Sequence, residues 1–195
     1  KQYRYHQLWQ TLRNETKYYR LLEFGRTLPG LRAEVNRYLN SKELTKEKVL
    51  ALIIAIMDKT SIRVGSSMYE KLYGSFGLST MKDKHVKISG ASVQFSFKGK
   101  KGVLHDISLK SRKLANIVKQ CRDIPGKELF QYYSKEGERC SIDSGEVNEY
   151  IKQLTGGEFT SKDFRTWTGS VQCLLAFSNI GGFDSEAQMK RNMAA

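Results

Sequence analysis

Three short stretches of this chain each hold out a cation in a defined local setting: Ile62-Arg63-Val64-Gly65, Lys98-Gly99-Lys100-Lys101-Gly102 and Lys162-Asp163-Phe164-Arg165. Arg63 follows the most apolar run in the protein, Lys48 to Lys59, and precedes a glycine, so a buried scaffold can aim its guanidinium outward. Lys100 sits in a glycine-bounded turn. Lysines there are ordinarily solvated surface, yet a flexible ammonium on a loop is also a way to deliver a proton to a bound phosphate. Lys162 and Arg165 fall in the first turn of a helix, where unpaired N–H groups and the helix dipole favour an anion. Two guanidiniums and one ammonium converging on a phosphodiester would neutralise the charge that builds on a five-coordinate phosphorus and protonate the leaving oxygen. Such a site needs no metal and no cofactor. Metal-ligand spacing is also missing: Cys121, Cys140 and Cys173 form no C-x-x-C, and His6, His85 and His105 are scattered.

The elements that must position these groups can be read in order. Residues 1 to 9 interleave aromatics with cations, a composition that suits either a phosphate backbone or a core strand. A helical pattern runs from Thr11 to Phe24 and is expected to break at Gly25 and Pro29-Gly30, with a second helix over Leu31 to Leu39. Thr45 should cap a helix that is apolar nearly all round and therefore buried. A short helix, Ser66 to Tyr73, follows Arg63 and stops at Gly74. The period then changes to two over Val86 to Leu109, predicting a three-stranded antiparallel meander. Ser111 should open a helix to about Arg122. Residues 128 to 142 read as irregular connection, and Ser144 as the cap of a helix to Leu154. Thr160-Ser161-Lys162-Asp163 resembles a capping box, opening a helix whose expected buried stripe is Phe164, Trp167, Val171, Leu174, Leu175 and Phe177. A last helix starts near Asp184.

With 33 Lys and Arg against 20 acids, a formal charge of +13 and a pI near 9.6, the chain favours a polyanionic partner, either nucleic acid or an anionic membrane surface. No run approaches the roughly 18 to 20 apolar residues a membrane helix needs, and the first residues lack a signal peptide's pattern. An intracellular, cytoplasmic location is expected, and the odd number of cysteines fits a reducing compartment.

Tyr3-Arg4-Tyr5, Ile62-Arg63-Val64-Gly65, Tyr69, Gly77-Leu78, Lys84-His85-Val86, Phe97-Lys98-Gly99-Lys100 and Lys162-Asp163-Phe164-Arg165-Thr166-Trp167 together resemble the type IB DNA topoisomerases of the small bacterial and poxvirus kind. The resemblance runs in order over nearly the whole chain. It implies an α+β fold, mostly helical with a small three-stranded antiparallel sheet, with residues 1–9 as a linker entering a catalytic domain over 10–195. It implies an isomerase that relaxes supercoiled double-stranded DNA through a 3'-phosphotyrosyl intermediate, working as a monomer without ATP or metal. Arg63 and Arg165 would bind the scissile phosphate, Lys100 would be the general acid, Lys162 would assist, and Tyr3, Tyr5 and Tyr69 would contact DNA. None of Tyr132, Tyr133 or Tyr150 sits in the family's nucleophile motif, so the chain is expected to be an inactive piece lacking that segment. Tyrosine recombinases share the arginine, lysine, arginine arrangement but usually carry a histidine where Lys162 stands. A non-catalytic basic DNA-binding module would explain the same charge.

Overall fold

The computed structural model describes the backbone of residues 7–194 and the side chains of Thr16 and of residues 18–193. Tyr3 and Tyr5 lie outside the described residues. Seven α-helices surround a three-stranded antiparallel sheet and a two-stranded ribbon among the described residues.

Helix α1 (Gln7–Leu39) is continuous, with Pro29 inside it, where the sequence predicted two helices separated by a break. The physical reason lies in one apolar stripe. Leu21, Phe24, Leu28, Leu31, Val35 and Leu39 recur at three- and four-residue spacing straight across the proline, and all are buried. Burial on both flanks outweighs the single backbone donor that proline removes. Gly25 is not a breaker either: a Cβ there would lie 2.4 Å from Cζ3 of Trp167, so the glycine is the seat of that ring.

Helix α2 (Lys46–Thr60) is the centre of the body, buried without interruption from Lys48 to Met57. Thr45 caps it as expected, its Oγ1 accepting from Lys48 N–H at 3.3 Å, and the one charged side chain so enclosed, Lys48, donates to the Ser41 carbonyl at 2.6 Å. Helix α3 (Ser67–Tyr73) follows, ended by the left-handed Gly74.

Strands β1 (Val86–Ser89), β2 (Ser92–Lys98) and β3 (Leu104–Lys110) form the predicted meander, in the order β1-β2-β3. Val93, Phe95 and Phe97 alternate onto the core and pair with Leu109, Ile107 and His105. Helix α4 (Arg112–Arg122) is capped by Ser111, as read, and buries Leu114, Ile117, Val118 and Cys121. The stretch read as irregular instead contains a ribbon, β4 (Gln131–Tyr133) with β5 (Arg139–Ser141). Both strands have only three residues, too few for a period of two to show.

Helix α5 (Ser144–Thr155) starts one residue away from the expected cap. Asp143 is the N-cap, because its carboxylate accepts from Glu146 N–H at 2.8 Å while Glu146 reaches back to Asp143 N–H at 2.9 Å. Helix α6 (Ser161–Ile180) is anchored through its first two turns: Phe164 is buried edge-on against Phe24, with ring centroids 5.0 Å apart, and Trp167 packs on Gly25. Trp167 of the expected stripe is partly buried on Gly25, but its later members, Leu174, Leu175 and Phe177, are exposed. Leu174 and Leu175 are 70% and 51% exposed, because the helix runs past the body and nothing among the described residues covers them. Helix α7 (Glu186–Ala194) ends the described chain.

Candidate functional site

The end of α2 determines where Arg63 goes. Ser61 takes the left-handed conformation (φ 56) and closes the helix with a hydrogen bond from its N–H to the Met57 carbonyl at 2.9 Å. Ile62 then turns inward and is buried, leaving Arg63 facing out. The next residues are clamped by a second piece of chain. The Arg63 carbonyl accepts from Leu78 N–H at 2.9 Å and the Val64 carbonyl from Ser79 N–H at 2.6 Å. Between them Gly65 (φ +93) and Gly77 lie backbone on backbone, and a Cβ at Gly77 would come within 2.5 Å of both the Arg63 carbonyl and Gly65 Cα. Only two glycines allow that crossing.

The same segment reaches the β2–β3 hairpin. Phe76 N–H donates to the Lys98 carbonyl at 2.8 Å, fixing the strand end from which the tip projects. At the tip, Lys100–Gly102 form a single tight turn in which Lys101 is left-handed (φ 61), and the Gly99 N–H donates to the Val103 carbonyl at 2.7 Å. Lys100 is exposed.

The third contribution comes from the start of α6. Phe164 and Trp167 lock this turn onto α1, so Arg165 points away from α1 toward the end of α2. Its Nη1 donates to the Ser61 carbonyl, two residues ahead of Arg63. Burial, and after it the positive charge of Arg63, push the Arg165 pKa down from its ordinary value. The guanidinium remains charged at neutral pH, so two like charges are held together at some cost, and an anion between them would relieve it. The helix start is less open than the sequence implied. Thr160 N–H is taken by Asp163 at 2.7 Å and Ser161 N–H by Asn148 Oδ1 at 2.9 Å.

These three contributions line one open cavity of about 990 Å³. It holds Arg63, Tyr69, Lys100, Lys162 and Arg165, all singled out from sequence, and among the described residues no acidic one lines it. Lys98, Lys101, Tyr73 and Phe76 also line it and were not assigned roles from sequence. Tyr73 had a legible signal, since it stands four residues after Tyr69 on a short helix and so shares its face. Tyr150 is remote in character: it is buried beside Tyr38, ring centroids 6.0 Å apart, and burial raises its pKa far above the usual phenol value. Among the described residues no group of three or more His, Cys, Asp or Glu is placed to hold a metal ion. Nor is any helix among them long and apolar enough to cross a membrane.

The sequence model of the family described as "Eukaryotic DNA topoisomerase I, catalytic core" matches residues 6–195. The chain is 29% identical over 201 residues to "DNA topoisomerase 1B" of Acanthamoeba polyphaga mimivirus, an alignment covering all of this chain and 60% of that protein. It is 28% identical over 144 residues to "DNA topoisomerase 1B" of Vaccinia virus (strain Western Reserve), covering 73% of this chain and 43% of the other. The chain thus spans roughly half the length of these relatives. Among solved structures, XerH site-specific recombinase bound to its difH substrate, in a pre-cleavage complex, aligns with a TM-score of 0.47 at 15% identity over 85% of this chain and 52% of that one. That likeness is too slight to carry an argument.

Proposed function

The chain belongs to the DNA topoisomerase I catalytic-core family, and from that premise we propose that its protein is a type IB enzyme, relaxing supercoiled double-stranded DNA by transient cleavage of one strand. The observation that carries this reading is the convergence of Arg63, Lys100, Lys162 and Arg165, from three separate stretches, on one cavity that no acidic residue lines among those described. A DNA phosphodiester would lie with its non-bridging oxygens between Arg63 and Arg165. These guanidiniums would stabilise the added negative charge as a tyrosine oxygen bonds to phosphorus. As the bond to the 5'-oxygen breaks, Lys100 would supply the proton that makes the oxygen a neutral leaving group. The reverse step returns that proton to Lys100 and restores the backbone, so the phosphodiester bond energy is conserved and no ATP is consumed. Lys162, exposed at the cavity's edge, would assist at the same phosphate, and Tyr69 would contact the DNA beside it.

No tyrosine of this chain is assigned as the nucleophile. Residues 10–195 would form the catalytic body, entered through residues 1–9 with Tyr3 and Tyr5 on the DNA. A monomer acting on one duplex, inside the cell where the DNA is, completes the proposal. The decisive experiment is relaxation of supercoiled plasmid by the full-length protein in EDTA without ATP, with Lys100→Ala alongside. Relaxation is expected from the wild type, with the variant binding DNA almost as tightly but cleaving at least about 10²-fold more slowly. A full-length protein that binds DNA without relaxing it would reduce the chain to a basic binding module.

A further inference from the structure

Helix α3 is built the wrong way round for a surface helix. None of its residues is buried, and its tether is polar: Glu70 pairs with Lys82 at 2.9 Å, and Lys82 with Glu128 at 3.0 Å. Its large apolar side chains look outward instead, with Met68, Tyr69, Leu72 and Tyr73 between 48% and 64% exposed. Two of them make an ordered pair. The rings of Tyr69 and Tyr73 stack with centroids 5.9 Å apart and an interplanar angle of 29°, and both line the cavity that carries the cations.

Whatever covers this face must satisfy both halves of the site, an array of positive charge with no acid among its lining residues and an aromatic step beside it. An anionic protein segment would match the charge but leaves flat stacked rings unexplained. Nucleic acid supplies charge and π-face at fixed spacing, and stacking on aromatic side chains is tolerant of base identity. In a fully paired duplex, however, base faces are covered by their neighbours. A ring pair can stack only on a base that has left the helical stack.

Resting on the topoisomerase reading of the cation site, we propose that Tyr73, supported by Tyr69, is a stacking platform for an unstacked base flanking the bound phosphate. The protein therefore prefers duplexes whose stacking is already broken. Arg63 and Arg165 hold the phosphate, and α3 receives the adjacent displaced base.

The test is equilibrium binding of this 195-residue chain to a paired duplex and to the same duplex carrying a one-nucleotide bulge scanned along its length. A preference of about tenfold is expected at one bulge position. Tyr73→Ala should abolish the preference while changing affinity for the paired duplex less than about twofold, and Tyr73→Phe should retain it. Because Tyr73 is 62% exposed, its removal is not expected to unfold the chain, which circular dichroism verifies. Equal affinity for paired and bulged duplexes, or a preference that survives Tyr73→Ala, overturns the stacking platform and leaves the phosphate site standing. Failure to bind either duplex overturns both. Tighter binding to a poly-glutamate peptide than to either DNA would assign the surface to an acidic protein and likewise overturn the inference.

Discussion

Arg165 shows how much one side chain is asked to do. Its fork spends one donor on the Ser61 carbonyl and leaves the remainder facing Arg63's cavity. A lysine cannot divide itself in that way, because a single ammonium lacks the planar spread of donors. Under the proposed function, Arg165→Lys in the full-length protein should therefore lower the cleavage rate by about 10²-fold or more while leaving DNA affinity within a few-fold, as single-turnover cleavage would show. A lysine variant that cleaves normally would remove the fork argument. At this scale Arg63, Lys100, Lys162 and Arg165 were legible because each sits in a short motif whose neighbours dictate its exposure. Lys98 and Tyr73 were less so, since their relevance depends on which distant segments they face. The cysteines offer a separate check. Cys121 is fully buried and its thiol is pushed up to about 12, whereas Cys173 is exposed. Native protein should lose Cys173 rapidly to a thiol reagent and Cys121 only on unfolding, by mass-spectrometric mapping.

At the scale of elements, most capped and periodic pieces were read correctly, and each error has its own physical cause. Gly25 and Pro29 are breakers in a solitary helix, but α1 is welded to α2 and α6 by a stripe that local propensity does not register. The ribbon β4–β5 was too short to declare itself. The stripe on α6 is real as a pattern and simply outlasts the body that would cover it. The Gly25 seat gives a prediction opposite to the one a breaker would give. Gly25→Ala improves helix propensity by about 1 kcal/mol, yet the new methyl meets Trp167. The net change should be a loss of about 1–3 kcal/mol in urea unfolding, and a stabilised variant would mean the ring moves freely. Phe164→Ala should cost more, about 3–5 kcal/mol, and should also displace Arg165, because that ring is what pins the first turn of α6.

For the molecule as a whole, the formal charge of +13 favours a polyanionic partner, and Arg63, Lys98, Lys100, Lys101, Lys162 and Arg165 line one cavity. Binding should weaken with salt by about 0.9 in log–log slope per phosphate engaged, and Lys101→Ala should lower that slope by about 1. Acid stability has a different source. His85 is buried, packed against Phe76 at 4.3 Å between ring centroids, and its Nδ1 accepts from Lys82 N–H at 3.1 Å. Burial first, then Lys84 and Lys82, lower its pKa below the ordinary imidazole value. The unfolded chain therefore takes up the proton more readily than the folded one. Stability is complete above the ordinary imidazole range and is lost as pH falls through the lowered folded value. Melting temperature should drop between about pH 7 and pH 5, and His85→Gln should flatten that slope.

The four residues Phe76 to Ser79 make hydrogen bonds to both sides of the cavity, from Phe76 to the hairpin strand and from Leu78 and Ser79 to the Arg63 loop. A segment that holds two arms at once cannot release them separately. In time, that means one opening event rather than two: the amide protons of Phe76, Leu78 and Ser79 should exchange with solvent deuterium at a shared rate. A short DNA bridging Arg63 and Lys100 should slow all three together, because it holds both arms at once.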